Sequence, residues 1–557
     1  MTPDPIAAVE TAYDRIDAIG RPEIWVTRRF REQALAEAKD VAARLDAGEY
    51  LPLAGRVVAV KDNIDVAGLP TTAGAPSYLY RPDSDATAVA RLRAAGAVVI
   101  GKTNLDQFAT GLVGTRSPYG AVRNAWDPAR ISGGSSAGSG VAVALGVVDL
   151  ALGTDTAGSG RVPAALNGVV GVKPTKGLVP VTGVVPACYS LDCVTVFARD
   201  LGLARLAAEI MSGPDATDPL SRSGADVALS QRPRVAVPTA EHLTEMAPGW
   251  VEAFAAAVAT LRAAGVEIVE VDIAPLLEAA RMLYGGAFVA ERYSAVGAHI
   301  ESHRDLIGSD LDPTVAAIIL AGAAPTAAQW ASDTAALARL GAAGRALLDG
   351  CDALLTPTTT CHPTLEEVAA DPIGVNSRLG RFTNFANLLD MASLAVPAGF
   401  AGGLPFGVMF TGPAFSDRAL AQLAEKLLAP SLDLFVAGAH LSGQPLNKEL
   451  VRAGGSLVRP ARTAPAYRLR ALDTTPPKPG LVRVSDGGAG VEGELWRLPA
   501  AGFGTFIAGV PAPMVIGKVE IEGGEVVSGF LVEPWALDGA EDITEFGGWR
   551  AYLAARP

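Results

Sequence analysis

The spacing of apolar and polar positions changes several times along the chain, and each spacing predicts a different kind of element. Residues 4–20 and 27–47 carry apolar side chains at helical intervals, which predicts two N-terminal helices. From Val57 onward, short apolar runs typical of buried strands alternate with helical stretches. The predicted strands are Val57–Val60, Ala97–Ile100 and Val147–Leu152, and the predicted helices are 86–95 and 137–145.

The same alternation continues toward the last quarter of the chain. Helices are predicted at 248–265, 277–292, 326–349 and 415–428, with an apolar strand at Ala395–Phe400 before the last of them. Strands that alternate with helices form a sheet whose faces the helices cover. The pattern therefore predicts an α/β fold in which a mixed, largely parallel sheet is flanked by helices.

The pattern changes once more after the helix 415–428. The segment Leu428–Asp433 stops that helix, and short alternating strands separated by Pro and Gly clusters follow it. These strands are Tyr467–Leu472, Leu481–Val484, Gly493–Leu498, Met514–Val519 and Glu525–Leu531. We therefore predict two domains. Residues 1–432 hold the N-terminal helices (1–50) and an α/β core (51–432), and residues 433–557 form a small, β-rich α+β domain.

Length and composition limit the classes of protein to which this chain can belong. A chain of 557 residues is longer than the ~250–300 residues that a single hydrophobic core supports. The net charge of −13 disfavours a nucleic-acid partner, because an acidic surface repels phosphate backbones. No run of ~18 apolar residues suggests a membrane span. Four cysteines and no basic-apolar N-terminal signal favour reduced thiols in the cytoplasm, and no cofactor or metal site is expected.

Two serine-bearing glycine loops carry the candidate chemistry. They are Ser132–Gly138 and Gly153–Arg161, with Ser135 and Ser159 inside them. Glycines let several backbone N–H groups point at one spot, where they can hold an oxyanion while a serine attacks a carbonyl. None of the five histidines lies near either loop in sequence. A lysine at the end of an apolar strand, Lys61, can act as the base if burial keeps it neutral.

The residues alone leave other interpretations open. A lysine at a strand end is commonly solvated, and a serine in a glycine-rich loop is commonly a turn or a helix cap. The loop before the helix 137–145 also fits a phosphate cradle, although it lacks the Gly-Lys-Ser/Thr of a P-loop. Asp155 and Arg161 on either side of Ser159 are most simply an ion pair that holds the loop.

Five blocks of the chain, taken together, resemble the amidase signature family of Ser–Ser–Lys amide hydrolases. The blocks are Val60–Asn63, Gly101–Phe108, Gly133–Gly138, Gly153–Arg161 and Gly168–Thr175. The resemblance implies that Ser159 is the nucleophile, that Ser135 is a bridging serine after a cis peptide, and that Lys61 is the base. It also implies an oxyanion hole formed by the N–H groups of Thr156, Ala157, Gly158 and Ser159.

Two departures from the general family pattern point to one branch, the allophanate hydrolases. Ala157 stands where most members have glycine, and Gly160 stands where most have a branched apolar residue. The segment Pro186–Val194 and the C-terminal part from Phe435 also resemble this branch. The resemblance implies hydrolysis of allophanate to ammonia and N-carboxycarbamate, ending in ammonia and CO₂. It also implies a functional link to urea carboxylase. A homodimer is expected because the N-terminal helices are plausible dimer contacts and homodimers are the commonest oligomers.

A small anionic substrate needs a cation to hold it. Tyr284 and Arg292 lie eight positions apart in the predicted helix 277–292, so both are expected on one face. Members of the branch carry a matching Tyr and Arg that bind the substrate carboxylate. Without the resemblance, a core tyrosine and a surface arginine would be the default interpretation.

The C-terminal domain resembles the γ-glutamyl-cyclotransferase-like fold in Phe435–Asn447 and Val491–Trp496. In this branch it is associated with breakdown of the first product. His440 is the candidate residue, with Arg459 and Arg483 as possible counter-charges, although a histidine that is merely hydrogen-bonded fits equally well. Two alternatives remain for the chain as a whole. One is an amidase that acts on a different small amide, and the other is a non-catalytic amidase-fold subunit.

Overall fold

A computed structural model describes residues 4–453 and 455–556 in two compact units. The first unit comprises the residues up to Val258 together with Glu267–Glu425, and the second comprises Ala259–Val266 and the residues from Lys426 onward. In the described residues, no helix combines the length and apolar character needed to cross a bilayer.

The strands of the first unit form an 11-stranded sheet in the described chain. They are β1 (Trp25–Arg28), β2 (Val57–Lys61), β3 (Val98–Thr103), β4 (Leu150–Asp155), β5 (Val170–Lys173), β6 (Cys193–Ala198), β7 (Arg234–Pro238), β8 (Glu267–Val271), β9 (Ala353–Pro357), β10 (Met391–Ala401) and β11 (Leu404–Pro413). The order across the sheet is β1-β3-β2-β4-β6-β5-β10-β11-β9-β7-β8. Every residue of β2 and β4 is buried, as expected for central strands that helices cover on both faces.

Helices surround this sheet. They are α1 (Pro5–Ile19), α2 (Arg31–Asp46), α3 (Thr87–Ala94), α4 (Ala137–Ala144), α5 (Val162–Asn167), α6 (Leu201–Met211), α7 (Trp250–Ala263), α8 (Ala274–Gly285), α9 (Ala290–Ser302), α10 (Pro313–Ala321), α11 (Ala327–Leu347), α12 (Leu365–Ala370), α13 (Gly374–Leu379), α14 (Asn384–Leu388) and α15 (Asp417–Leu428). The first begins where the Asp4 side chain accepts from the N–H groups of Ile6 and Ala7, and it ends at Gly20 with a left-handed φ of 62°.

The expected mixed sheet flanked by helices is confirmed, but the prediction that the sheet is largely parallel is wrong. Parallel pairing joins β3, β2 and β4, and again β9, β7 and β8. The pairs between these two groups, from β4 to β9 across the sheet, are antiparallel, as is β1 with β3. The sheet is therefore less parallel than the alternation predicted, because β10 and β11 form a hairpin and β5 and β6 pair antiparallel without the helical crossover of a parallel pair.

The N-terminal helices pack directly on the sheet. Val9, Ala12 and Ile16 of α1 are buried in one cluster with Val57 and Ile100 of the central strands. The second predicted helix, 27–47, starts later, because its first residues complete the strand β1 at the edge of the sheet. Apolar spacing did not reveal this four-residue strand, which is too short to show a period.

The predicted helix 277–292 is two helices. The helix α8 ends at Gly285, Gly286 is extended, and a single 3-10 turn at Ala287–Val289 leads into α9. A Cβ at Gly286 would lie 2.7 Å from the carbonyl oxygen of Met282 and 2.9 Å from a carboxylate oxygen of Asp333, so only glycine fits there. The break therefore places Tyr284 and Arg292 on different helices.

The second unit is β-rich, as predicted. Its strands are β12 (Ser431–Val436), β13 (Ser456–Arg462), β14 (Tyr467–Leu472), β15 (Lys478–Arg483), β16 (Glu492–Pro499), β17 (Met514–Glu520), β18 (Val526–Val532) and β19 (Glu541–Asp542), and its helices are α16 (Asn447–Arg452), α17 (Ala500–Ala508) and α18 (Trp549–Ala555). The strands form one sheet of order β13-β16-β12-β18-β17 and another of order β15-β14-β19. Leu434, Phe435, Leu495 and Val519 belong to the core that these elements share.

Candidate active site

Lys61 stands at the end of the central strand β2, with its side chain fully buried. Its Nζ donates to Ser135 Oγ at 2.8 Å and to Thr154 Oγ1 at 2.7 Å. The contact with Thr154 follows from the topology, because β2 and β4 are parallel neighbours whose carboxyl ends lie side by side. The end of β2 therefore places Lys61 in contact with Ser135, in the first serine loop.

Burial lowers the pKa of Lys61 to about 7, because the charged ammonium loses its water. The negative charges of Asp106, Asp155 and Asp192 oppose this shift, and the nearby Arg292 adds to it. No carboxylate of the described residues forms an ion pair with the Nζ, which is held by two hydroxyl groups instead. A large fraction of the lysine is therefore neutral near pH 7, as a general base requires.

Ser135 follows a cis peptide bond between Gly134 and Ser135, the geometry that the resemblance implied. Its main chain is fixed by Asp106, whose N–H donates to the carbonyl oxygen of Ser135 at 3.2 Å. A Cβ on Gly134 would lie 2.1 Å from Asp106 Oδ2, so the backbone of this loop passes directly against the carboxylate. The glycine at position 134 is required by this close approach.

Asp106 itself is a buried carboxylate that the sequence analysis did not single out. Its Oδ2 accepts from the N–H groups of Val113 and Gly114 at 3.1 and 3.0 Å, and its Oδ1 accepts from Arg116 N at 3.0 Å. Burial raises its pKa, which these hydrogen bonds and the charge of Arg116 oppose. Asp106 thus clamps the loop after residue 110 against the Ser135 loop.

Ser159 lies in the second loop, buried but for about 2% of its surface. Its Oγ donates to the carbonyl oxygen of Gly111 at 3.5 Å, and within the described chain no hydrogen bond joins it to Ser135. The structure brings Lys61 and Ser135 into contact, and Ser159 lies in the second loop without a hydrogen bond to Ser135. We call Lys61, Ser135 and Ser159 the serine cluster. Rotation about χ1 of Ser159 would release its hydroxyl from the long hydrogen bond to the carbonyl oxygen of Gly111.

The backbone before Ser159 exposes a row of donors. Among the hydrogen bonds of the described residues, none has the N–H of Thr156, Ala157, Gly158 or Ser159 as its donor. Gly158 has a φ of 153°, and a Cβ there would lie 2.3 Å from Thr383 Oγ1. Buried N–H groups normally have partners, so four successive free donors mark a place for an acceptor.

The loop is held in shape by Asp155 and Arg161, both fully buried. Arg161 donates from Nη2 to Asp155 Oδ1 at 2.8 Å and from Nε to Oδ2 at 2.9 Å. Although burial opposes it, Arg161 holds the pKa of Asp155 below its usual range. Asn387 completes the network, accepting from Arg161 at 2.9 Å and donating to Asp155 O at 2.8 Å. The pair fixes the loop, as the simpler interpretation of these two residues held.

The two unusual residues of the loop have packing reasons. The methyl group of Ala157 lies in an apolar cluster with Cys188 and Leu191, which belong to the segment Pro186–Val194. A Cβ at Gly160 would lie 2.7 Å from Thr195 Cγ2, so the side chain of Thr195 occupies the space that a branched residue would need. Asp192 also joins the two segments, since it accepts from Thr156 Oγ1 and from Ala187 N.

Tyr284 and Arg292 are in contact although they lie on different helices. Arg292 Nη2 donates to Tyr284 Oη at 3.2 Å, and the guanidinium carbon lies 5.1 Å from the centre of the tyrosine ring. Arg292 is 1% exposed, so it is not the surface arginine that spacing alone would suggest. The two side chains are therefore in contact despite the break in the predicted helix, with the 3-10 turn Ala287–Val289 packed against both α8 and α9.

No carboxylate among the described residues pairs with Arg292. Its Nη1 donates to Thr110 Oγ1 at 2.8 Å and to Ala109 O at 3.4 Å, and its Nε has no partner. Asp192 and Glu291 act on it only at longer range, and a buried guanidinium without a directly bonded carboxylate is stabilised when an anion binds to it. The arrangement therefore favours an anionic ligand at Arg292.

The second unit contains a cavity of about 530 Å³ beside His440. His440 stacks on Phe530 with ring centres 4.9 Å apart, and its Nε2 lies 3.1 Å from Glu449 Oε2. Burial lowers the pKa of His440, and Glu449 opposes the shift. The cations at the cavity are Arg452 and Lys478.

The two arginines expected as counter-charges lie elsewhere. Arg459 pairs with Glu525 at 3.2 Å and lines a separate cleft, and Arg483 pairs with Glu520 at 2.7 Å. The sequence does not predict where the side chains of Arg459 and Arg483 point, because the direction of a strand residue depends on the register of its sheet.

Comparison with known proteins assigns the two parts of the chain. Residues 7–421 match the sequence profile described as amidase, and residues 432–554 match the profile described as allophanate hydrolase C-terminal domain. The chain belongs to the amidase family. This amidase lies in the allophanate hydrolase branch, and it is an amidase-signature hydrolase, as the resemblance implied.

Relatives extend the match over nearly the whole chain. Urea amidolyase of Saccharomyces cerevisiae is 43% identical over 98% of this chain and 32% of its own length, and urea amidolyase of Lachancea kluyveri is 44% identical over 91% and 30%. The chain thus spans about a third of the length of these relatives. The solved structure of Kluyveromyces lactis allophanate hydrolase is similar with a TM-score of 0.71, at 41% identity over 99% of this chain and 97% of that chain.

In this amidase, sequence reasoning missed the residues that support the site. Thr154 lies inside the matched block Gly153–Arg161 and Asp106 inside Gly101–Phe108, so both were visible as parts of motifs without a role. Thr110 and Asn387 lie outside the matched blocks and carry no local signal. Their contacts join segments more than 180 positions apart, which only the folded chain reveals.

Proposed function

We propose that this amidase hydrolyses allophanate, a urea that carries a carboxylate. The observation that carries the choice of substrate is the buried guanidinium of Arg292 beside the serine cluster, which has no hydrogen-bonded carboxylate among the described residues, although Asp192 and Glu291 act on it at longer range. The carboxylate binds to Arg292 and Tyr284, which places the urea carbonyl at Ser159. A neutral amide would leave the arginine buried and unpaired.

The reaction uses Lys61, Ser135 and Ser159 as a proton relay. Neutral Lys61 takes the proton of Ser135 while Ser135 takes that of Ser159, whose oxygen attacks the terminal carbonyl carbon. The N–H groups of Thr156, Ala157, Gly158 and Ser159 bind the oxyanion. The relay returns the proton to the departing nitrogen, so ammonia leaves and an acyl-serine remains. Water then releases N-carboxycarbamate, which ends as ammonia and CO₂.

Ammonia release from four substrates tests this proposal. We expect fast release from allophanate, slower release from malonamate, and little from acetamide or biuret, because the last two lack a carboxylate for Arg292. Equal rates with acetamide would favour an amidase for another small amide. A protein inactive on all four substrates, with its fold intact, would favour a non-catalytic subunit.

Arg292→Ala is expected to raise the KM for allophanate about 30-fold or more, because a bidentate pair with the carboxylate is lost. Steady-state kinetics of ammonia release provide the measurement. Arg292→Lys is the matched control, since it keeps the charge without the planar fork and should give an intermediate KM. A KM for Arg292→Ala equal to that of the unmodified protein would remove this residue from the substrate site.

A second candidate function concerns the cavity beside His440, where we propose that N-carboxycarbamate is broken down. His440 lies at a cavity with cations nearby, and a protonated imidazole can donate to nitrogen as CO₂ departs. Because burial lowers its pKa, the protonated fraction is small at pH 7 and grows as the pH falls. This step should therefore be faster toward acidic pH.

His440→Asn is expected to slow CO₂ release about tenfold or more while the first ammonia appears at an unchanged rate. A stopped-flow comparison of CO₂ and ammonia formation separates the two steps. Glu449→Gln tests the hydrogen-bond partner of His440 in the same assay. If CO₂ release by His440→Asn matches that of the unmodified protein, the catalytic role of His440 is excluded.

The remaining expectations extend this proposal. The domain boundary at 432/433 is supported by the family matches, which end at 421 and begin at 432, and by the break between units after Glu425. A reduced, cytoplasmic setting is supported by four free cysteines. A homodimer and a functional link to urea carboxylase are part of the proposal, and the match to urea amidolyases supports the link to urea breakdown.

A further inference from the structure

A short segment, Phe108–Gly111, touches both the anion-binding arginine and the nucleophile. Thr110 Oγ1 accepts from Arg292 Nη1 at 2.8 Å, and the carbonyl oxygen of the next residue, Gly111, accepts from Ser159 Oγ at 3.5 Å. The segment has an unusual backbone, since Phe108 and Ala109 have left-handed φ values of 49° and 52°. Adjacent residues thus connect the two ends of the substrate site.

The hydrogen bonds of Arg292 define which edge of its guanidinium is free. An arginine has five N–H donors. The two on Nη1 go to Ala109 O and Thr110 Oγ1, and one on Nη2 goes to Tyr284 Oη. The Nε–H has no partner among the described residues, and one N–H of Nη2 is left after the bond to Tyr284. A guanidinium can bind a carboxylate through its Nε–H and an Nη–H in two parallel hydrogen bonds, so the Nε side of Arg292 is the side open to an anion.

The hydroxyl of Thr110 is itself held in one orientation. It donates to the carbonyl oxygen of Phe108 at 3.2 Å, so that a lone pair faces Arg292. The N–H of Thr110 donates to Gln107 O at 2.9 Å, and its carbonyl oxygen accepts from Arg116 Nη1 at 3.1 Å. The residue is 1% exposed, and water has little access to loosen these contacts.

We propose that Thr110 is a positioning residue that orients Arg292 and thereby selects substrates by the spacing of their carboxylate and scissile carbonyl. The inference rests on the proposed function, because it needs a carboxylate at Arg292. Consecutive residues contact Arg292 and Ser159, so the orientation that Thr110 gives to Arg292 sets how far a bound carboxylate lies from the carbonyl at Ser159. One intervening atom, as in allophanate and malonamate, fits this spacing. Oxamate has no intervening atom, and succinamate has two.

The test compares Thr110→Val, which removes the hydroxyl at nearly constant shape, with Thr110→Ser, which keeps it. We expect Thr110→Val to raise the KM for allophanate and the inhibition constant of malonate about tenfold or more, because a hydrogen bond to a charged group is lost. The kcat should change less than about threefold, and Thr110→Ser should restore both constants to within about threefold of the unmodified protein. Thr11→Val, on an exposed face of α1, is the matched control and should change neither constant.

Several outcomes would overturn the inference. An unchanged KM and malonate constant in Thr110→Val would do so. A parallel loss of kcat and thermal stability that Thr110→Ser does not rescue would show a merely structural role. Succinamate or oxamate cleaved as fast as malonamate would contradict the spacing. Failure of the proposed function looks different, since the unmodified protein would then release no ammonia from allophanate although malonate binding still reports on Thr110.

Discussion

We expect Lys61→Met to lower the kcat for allophanate by about 10⁴-fold. Methionine fills the buried position without an ammonium to desolvate, so the fold should persist while the base is lost. Among the described residues, Thr154 and Ser135 are the groups hydrogen-bonded to Nζ, and neither hydroxyl accepts a proton readily at pH 7, so neither replaces the base. Ammonia release under saturating substrate is the measurement.

The pH profile provides an independent check of the same residue. Since the pKa of Lys61 is about 7, its neutral, active form dominates above that pH and declines below it. The kcat/KM of the unmodified protein should therefore be level above about pH 8 and fall about tenfold for each pH unit below about pH 6. A profile that is flat from pH 5.5 to 8.5, or a Lys61→Met protein that keeps a tenth of the activity, would exclude Lys61 as the base.

Ser159→Ala is expected to lower kcat by about 10⁴-fold or more, because no acyl-enzyme can form without its hydroxyl. Binding of the anion should persist, since Arg292 makes its contacts to Thr110, Ala109 and Tyr284 and none of them involves Ser159. Calorimetric titration with malonate should thus give a dissociation constant within about threefold of the unmodified protein.

The matched control for Ser159→Ala is Ser309→Ala. Ser309 is exposed and donates to the carbonyl oxygen of Leu306, far from the serine cluster in sequence, so its loss should leave kcat unchanged. Trapping a labelled acyl-enzyme in the unmodified protein, and its absence in Ser159→Ala, identifies the nucleophile directly. An acyl-enzyme that still forms in Ser159→Ala would assign the nucleophile to another residue.

The elements nearest the site show how far local pattern reaches. The predicted strand Val57–Val60 and the helices 86–95 and 137–145 agree with β2, α3 and α4 to within about a residue. These stretches combine a clear apolar period with glycine breaks, so local preference and tertiary packing agree. The strands β1 and β5 were not predicted, because each has four residues and its partners lie elsewhere along the chain. The six-residue strand β6 was also not predicted, and it pairs with β4, about 40 positions earlier.

The break between α8 and α9 is the clearest case in which local pattern was insufficient. The apolar spacing of 277–292 continues through Gly286, so nothing in the period signals the turn. Glycine is tolerated inside helices at a modest free-energy penalty, and its presence alone does not end one. Asp333 of α11 accepts from Ala287 N at 2.7 Å just after Gly286, so a contact with a helix distant in sequence holds the break.

By itself, the sequence predicted the chemical groups of the candidate site and determined most of the elements that carry them. Lys61, Ser135, Ser159, Tyr284 and Arg292 were all visible in motifs or at informative spacings. Only the tertiary structure decided the state of these groups, such as the lowered pKa of Lys61, the free edge of Arg292 and the clamp at Asp106. The physical reason is that protonation and hydrogen bonding depend on burial and on contacts between distant segments, which no local pattern contains.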